Sequence, residues 1–137
     1  MFFQDNSNKN EDLIKVCALL IHAAKIDENF SLEEEKIIEQ TLLKFKAKSD
    51  DLKKIITKAK EIEENSNQIL SFTREVKNMS EVNKVKIIEA LWQIIYSNNQ
   101  ADIYEMSLMR RLAGLLYIDS KIMGNIKEKI KKKKISK

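Results

Sequence analysis

Acidic side chains are concentrated in one short stretch between two apolar segments. Asp27, Glu28 and the run 33–35 place five carboxylates within nine residues. Hard divalent cations bind several oxygen ligands, carboxylates among them, and Zn²⁺ also accepts Asp and Glu oxygens. The stretch therefore suggests a site for Ca²⁺, Mg²⁺, Mn²⁺ or Zn²⁺, provided that a second polar loop faces it. The side chains that would form this site are Asp27, Glu34, Asn98 and Glu105.

The same stretch has a second interpretation, as the start of a helix. Ser31 and Glu34 match a capping box, in which the hydroxyl accepts the third helical N–H and the carboxylate accepts the N–H of the cap residue. Asp27 and Glu28 would then be solvated loop acids. No EF-hand pattern is present, because the stretch lacks both the alternating Asp residues and the glycine. The metal site and the capping box both remain open at this stage.

The acids of the second helix offer a docking face for a basic partner. This face consists of Glu28, Glu33, Glu35 and Glu39. A run of charges on a helix is also the ordinary pattern of a solvated surface, so the two interpretations stand side by side.

The residue types present give little support for a catalytic function. Cys17 and His22, the only cysteine and the only histidine, lie five positions apart, which directs them away from each other on a helix. The chain has no Cys-x-x-Cys pair, phosphate-binding glycine loop or nucleophile elbow. We therefore predict no catalytic residue and expect a non-enzyme.

The positive charge lies at the C-terminus. Residues 127–137 contain seven lysines and one glutamate, a net charge of +6, whereas the whole chain carries +4, so the rest sums to −2. Such lysines can neutralise nucleic-acid phosphates or approach an anionic membrane surface. A solvated tail is the alternative, because no aromatic residue or arginine is interspersed with them. The lysines are Lys127, Lys129, Lys131, Lys132, Lys133, Lys134 and Lys137.

Composition predicts an all-α fold. The 137 residues include no proline and only two glycines, whereas all-β folds need many tight turns. The single cysteine is consistent with a reducing compartment. Neither a signal peptide nor an apolar segment of membrane-spanning length is present, so we expect a cytoplasmic protein, with peripheral contact to the inner membrane left open.

Hydrophobic periodicity predicts a single bundle of about seven helices. The second helix is expected to bury Leu32 and Ile38, and the sixth Ile103 and Met109. We divide the chain into a flexible N-terminus (1–10), a helical domain (11–126) and a basic tail (127–137), with the last helix dissolving at residues 131–134. The predicted helix starts or caps are Ser31, Ser49, Ser80, Asp102 and either Asp119 or Ser120. The first helical pattern runs from Asp12, and the apolar stripe of the fourth helix begins at Ile69.

The chain contains an internal repeat. Residues 13–45 align with residues 84–116 without gaps, at a constant offset of 71. Ser31 falls on Asp102 and Glu34 on Glu105, so the cap and its acid recur. Two helical hairpins with matched apolar faces are expected to pack as a pseudo-symmetric bundle, bridged by the helices between them.

The repeated motif resembles that of the TerB-like (tellurite resistance protein B) family, which includes the N-terminal region of the co-chaperone DjlA. In each half of that family an alanine-rich helix end leads into Ala-Asp-Gly and then Ser/Thr/Asp-x-x-Glu. Glu28 and Asn99 stand where the motif has glycine, and Asn98 stands where the second copy has Asp. The likeness covers residues 12–125, and its two copies are Ala24-Lys25-Ile26-Asp27-Glu28-Asn29-Phe30-Ser31-Leu32-Glu33-Glu34 and Tyr96-Ser97-Asn98-Asn99-Gln100-Ala101-Asp102-Ile103-Tyr104-Glu105.

The resemblance implies an all-helical bacterial protein that binds or scaffolds partners in a stress response. For some members it also implies divalent-cation binding by the loop acids. We therefore expect a non-enzymatic binding module with protein partners. The alternative is an adaptor or co-chaperone-like domain that contacts a membrane surface or nucleic acid through its C-terminal lysines.

Overall fold

The structure, a computed structural model, describes residues 6–27, 31–65, 69–98 and 103–135, with the backbone alone for residues 6–10, 27, 98, 134 and 135. Within these residues the chain is all-helical, as predicted, and forms one bundle. Its α-helices are α1 (Asn6–Ala24), α2 (Leu32–Lys44), α3 (Leu52–Glu64), α4 (Leu70–Lys77), α5 (Glu81–Ile95), α6 (Ile103–Leu115) and α7 (Ser120–Ile135). Short 3₁₀ turns occupy Lys25–Asp27, Ser49–Asp51 and Tyr96–Asn98.

Side-chain caps fix several helix starts. The predicted capping box at Ser31 is confirmed: its Oγ accepts the N–H of Glu34 at 3.1 Å, and Glu34 Oε1 accepts the N–H of Ser31 at 2.8 Å. Ser80 Oγ accepts the N–H of Asn83 at 3.3 Å at the start of α5. The predicted cap at Asp102 lies outside the described residues.

Helices α1 and α5 form the centre of the bundle. Every residue in the range 16–21 of α1 is buried, and α5 buries eight of its fifteen residues. Helix α1 packs against α2, α3, α4 and α5, while α5 packs against α1, α2, α4 and α7. A helix that is apolar on nearly every face needs such cover on several sides, which agrees with the prediction of a central first helix.

The repeat is longer in the structure than in the sequence comparison. With the offset of 71, the bounds of the turn Lys25–Asp27 and of α2 become those of the turn Tyr96–Asn98 and of α6. With the same offset, α3 (Leu52–Glu64) falls on residues 123–135, all of which lie in α7, and α3 packs on α1 as α7 packs on α5. The repeating unit therefore has three helices, α1–α3 and α5–α7, and α4 connects the two copies.

Both copies also end their second helix in the same turn. Lys46 and Tyr117, which are 71 residues apart, have φ angles of 67° and 57°. Each occupies the left-handed position of a Schellman motif, which costs a non-glycine residue roughly 1–2 kcal/mol. The bonds that define the two motifs are Lys46 N–H to Leu43 C=O (2.9 Å), Ala47 N–H to Leu42 C=O (3.1 Å), Tyr117 N–H to Gly114 C=O (3.3 Å) and Ile118 N–H to Ala113 C=O (2.9 Å).

The prediction that Leu32 and Ile103 are buried is wrong. Their exposed fractions are 79% and 74%. At about 100° per residue, Leu32 points about 120° away from the buried Ile38, whereas Glu34 points only about 40° away from it. The core-facing stripe of α2 therefore takes Glu34 at this end, and the same geometry puts Glu105 on the stripe of α6.

The termini are more helical than predicted. Helix α1 starts at Asn6, inside the segment expected to be flexible, and α7 continues to Ile135 instead of dissolving at residues 131–134. Lysine is a good helix former, and its charge is favourable at a helix C-terminus. The buried Ile130 also ties this part of α7 to the core.

We expect Lys46→Gly to raise the free energy of unfolding by roughly 0.5–1 kcal/mol, because glycine adopts a positive φ without a Cβ clash. Urea denaturation measures the change. Lys46→Ala removes the long side chain but keeps the Cβ atom, and it should not share the gain. A glycine variant no more stable than the alanine variant would contradict the assignment of strain to this turn.

Candidate functional site

A groove between α2, α5 and α7 is lined by residues of both repeats. Its volume is about 210 Å³. In the sequence, Glu33 comes three residues after the segment 28–30, and Tyr96 comes three residues before the segment 99–102; both segments lie outside the described residues. We call it the loop groove, and it is lined by Glu33, Ile37, Gln40, Gln93, Tyr96, Ile130 and Lys133.

Two buried carboxylates occupy equivalent positions next to these loops. Glu34 is 3% exposed and Glu105 is 2% exposed. A buried carboxylate is tolerated only when hydrogen bonds or charges compensate for its lost hydration. For Glu34 one such partner is the backbone N–H of Ser31. The two acids thus give each loop a carboxylate held in place by the fold.

Tyr96 connects the second loop to the core. Its ring stacks on Trp92 with 6.0 Å between centroids. Burial raises the pKa of the Tyr96 phenol, and the nearby carboxylates of Glu128 and Glu105 raise it further. Tyr96 therefore ties the turn Tyr96–Asn98 to the core through its packing on Trp92.

Only part of the predicted metal set can be placed. Glu34 and Glu105 are buried at the two helix starts, whereas the side chains of Asp27 and Asn98 lie outside the described part of the structure. Among the side chains that are described, no three of His, Cys, Asp or Glu are grouped so as to hold a metal ion. The four-residue cation site therefore stays a prediction.

The residues of the predicted acidic face have different surroundings. Glu33 is exposed and lines the loop groove, while Glu39 is half-buried. Glu35 forms an ion pair with Lys60 of α3, with 3.4 Å between Oε1 and Nζ. Glu28 lies outside the described residues. Of the predicted acidic face, Glu33 is therefore the described acid that lines the loop groove.

The C-terminal lysines continue along α7. Lys127 Nζ lies 5.7 Å from the centroid of the Trp92 ring, and Lys129 Nζ is 3.1 Å from Glu89 Oε2 of α5. Residues 131–133 are exposed. The side chain of Lys134 and the whole of Lys137 lie outside what the structure describes.

Cys17 lies in the buried centre of α1. Burial raises the pKa of its thiol to about 12, so the reactive thiolate is scarce at neutral pH. His22, five residues further along, faces Glu63 of α3, with 3.2 Å between Nδ1 and Oε2. The two side chains have different surroundings, as their spacing predicted.

Glu63 is a polar centre that sequence reasoning missed. Lys25 Nζ donates a hydrogen bond to its Oε1 at 2.8 Å, and this bond raises the pKa of the lysine. The carboxylate thus joins the end of α1 to α3, although Glu63 is almost fully buried. The sequence did contain one indication that Glu63 is buried: it lies four residues after Ala59, on the apolar stripe of α3.

The fold defines a class, that of all-helical domains built from two three-helix repeats. The family model of tellurite resistance protein TerB matches residues 13–128 of the chain. The chain therefore belongs to the TerB family. No curated protein and no solved structure matches it. Over the described residues, no helix is both long and apolar enough to cross a membrane.

An ion pair and two interacting carboxyl groups join α1 to α4. Lys15 Nζ is 3.2 Å from Glu75 Oε1. Burial raises the pKa of Asp12 above its ordinary value of 3.8, and the charge of Glu75 and a hydrogen bond to it raise the pKa further. A carboxyl with a raised folded-state pKa contributes full stability below pH 3.8, and that contribution is lost as pH rises through the folded pKa.

We expect Asp12→Asn to stabilise the protein at neutral pH, because it removes a partly buried charge that interacts unfavourably with the carboxylate of Glu75. Below pH 3.8 the variant and the wild type should have the same stability, since Asp12 is then protonated in both states. Urea denaturation across this pH range measures the difference. Glu11→Gln, which neutralises the exposed neighbour, is the control, and an equal effect of both variants would refute the prediction.

Proposed function

We propose that this TerB-family chain is a non-enzymatic binding module whose two inter-helix loops form one surface that responds to divalent cations. The observation that carries the proposal is the loop groove, which is lined both by Glu33, near the start of α2, and by Tyr96, just beyond the end of α5. Ligands from both repeats can reach one cation only if the loops are neighbours. The packing of α2 on α5 supports that neighbourhood.

The buried carboxylates of Glu34 and Glu105 are ordered components of the proposed surface. Glu34 is held by its capping bond with Ser31, and Glu105 takes the equivalent position in the other repeat. Ligands that are already ordered bind a cation at a lower entropic cost. Asp27 and the side-chain carbonyl of Asn98 complete an oxygen-rich set of the kind that Ca²⁺ and Mg²⁺ prefer.

The same two helix starts also present exposed apolar side chains, which are suited to contact with a protein. Leu32 and Ile103, the first residues of α2 and α6, are largely exposed at equivalent positions, and Tyr104 follows them on α6. Contiguous exposed apolar residues mark protein-binding surfaces, and Ile103 and Tyr104 are neighbours at the start of α6. We assign these residues to a protein partner with apolar side chains of its own, whose affinity a cation in the loops modulates through linkage.

Calorimetric titration of the full chain with Ca²⁺, Mg²⁺, Mn²⁺ and Zn²⁺ tests the cation site. We expect at least one ion to bind, and Asp27→Asn to weaken it by about tenfold because one anionic ligand is lost. Asp50→Asn, which neutralises an exposed acid in the turn before α3, is the matched control. The cation site is refuted by the absence of both heat and melting shift at millimolar metal, or by equal affinity of Asp27→Asn and the wild type.

The exposed lysines at residues 131–133 favour a second candidate function, contact with a phosphate-bearing membrane surface or nucleic acid. Deleting residues 127–137 would also remove the buried Ile130, so substitution is the cleaner test. We expect the triple variant Lys131→Gln, Lys132→Gln, Lys133→Gln to lose salt-sensitive co-sedimentation with anionic vesicles or with DNA. Identical pelleting of variant and wild type at two salt concentrations would remove this function.

A further inference from the structure

The loop groove has opposite charges on its two sides. Helices α2 and α7 both pack on α5. Glu33 of α2 and Lys133 of α7 line the groove and are exposed, whereas Gln93 of α5 and Tyr96 just beyond it are more deeply buried. The groove therefore has the end of α5 as its floor, an acidic side chain on the α2 side and a basic side chain on the α7 side.

The two helices that flank the groove differ in net charge in the same sense. Helix α2 contains four glutamates and two lysines, a net charge of −2, whereas α7 contains seven lysines and one glutamate, a net charge of +6. Like charges that face each other across an interface disfavour that arrangement, and opposite charges favour theirs. Between two molecules of this protein, the charges therefore favour α2 of one against α7 of the other over α7 against α7.

A twofold axis makes this charge pattern self-complementary. In an isologous interface, if residue i of one copy contacts residue j of the other, then residue j of the first contacts residue i of the second. Glu33 of each copy would face Lys133 of the other, so two ion pairs would form together. Within the described residues of its own chain, Lys133 has no ion-pair partner.

The groove between these charges also suits contact with a second copy of itself. Ile37 of α2 is half-buried and supplies apolar surface, along which the aliphatic stem of a lysine can lie while its ammonium group stays in water. Gln40 and Gln93 line the groove as well. A glutamine amide both donates and accepts hydrogen bonds, so it is matched by an identical group.

We propose that the loop groove is the interface of a symmetric homodimer, in which α2 of each copy packs along α7 of the other. The two Glu33–Lys133 ion pairs set the register of the helices, and Ile37 and the glutamine amides form the contact between them. Exposed ion pairs are weak and are screened by salt, so the dimer is reversible and salt-sensitive. This inference does not rest on cation binding by the loops.

Sedimentation equilibrium of the full-length protein tests the dimer, in the absence of added metal, vesicles and nucleic acid. Protein concentrations from about 1 µM to about 1 mM cover the range of weak to moderately tight association. At low salt we expect the average mass to rise with concentration from 16.0 kDa towards twice that value, and high salt to reverse the rise. A monomer at every concentration would overturn the proposal.

Charge reversal tests the pairing. Glu33→Lys and Lys133→Glu each place like charges opposite one another in both pairs, and each variant alone should dimerise at least about tenfold more weakly than the wild type. Lys121→Glu makes the same change of charge at an exposed position twelve residues earlier on α7 and is the matched control, which should dimerise as the wild type does.

An equimolar mixture of Glu33→Lys and Lys133→Glu should recover the association of the wild type, because each pair again joins one acid to one base. This recovery also shows that both variants are folded, and circular dichroism of each variant checks its helix content directly. The proposal is overturned if the single variants dimerise as the wild type does, or if their mixture associates no better than either variant alone.

Discussion

The burial of α1 and α5 on nearly every side is the constraint on which the rest of the structure depends. Fully burying a Val, Leu or Ile side chain contributes roughly 1.5–3 kcal/mol, so each central helix favours an arrangement that covers all its faces. The third helix of each repeat covers the first, α3 on α1 and α7 on α5. The remaining face of α5 is covered by α2, which belongs to the other repeat. This cross-repeat contact places Glu33 and Tyr96 on one groove.

Much of this fold could be predicted from the sequence, because its signals are local or periodic. The capping box at Ser31 depends on two residues three positions apart, and the repeat depends on a constant offset. The sequence could not tell which side of the first helical turn faces the core. Leu32 was predicted to be a core residue because it is apolar. The buried side of α2 instead includes Glu34, and Leu32 points towards solvent. Glu63 was missed for a related reason, since its burial depends on Lys25 and His22, which reach it from another helix.

The candidate site was harder to predict than the fold. Glu34 and Glu105 could be selected from the repeat, but not their burial, which follows from tertiary packing. The groove that Trp92 lines between α5, α6 and α7 has no sequence signal, because it depends on how α6 and α7 pack around Trp92. The two repeats share a backbone plan, including the left-handed turns at Lys46 and Tyr117, and differ in chemistry. The first loop carries Asp27 and Glu28, whereas the second repeat carries Trp92 and Tyr96.

The central functional claim is that both loops contribute to one cation site. Paramagnetic broadening by Mn²⁺ tests it most directly, because the effect on an amide signal falls steeply with distance from the ion. In a titration of the ¹⁵N-labelled chain, we expect the amides of residues 31–35 and 103–107 to broaden together at the same substoichiometric Mn²⁺ concentration. Asp27→Asn should reduce both effects in parallel. Broadening confined to the first loop, or unaffected by Asp27→Asn, would contradict a site shared by the two repeats.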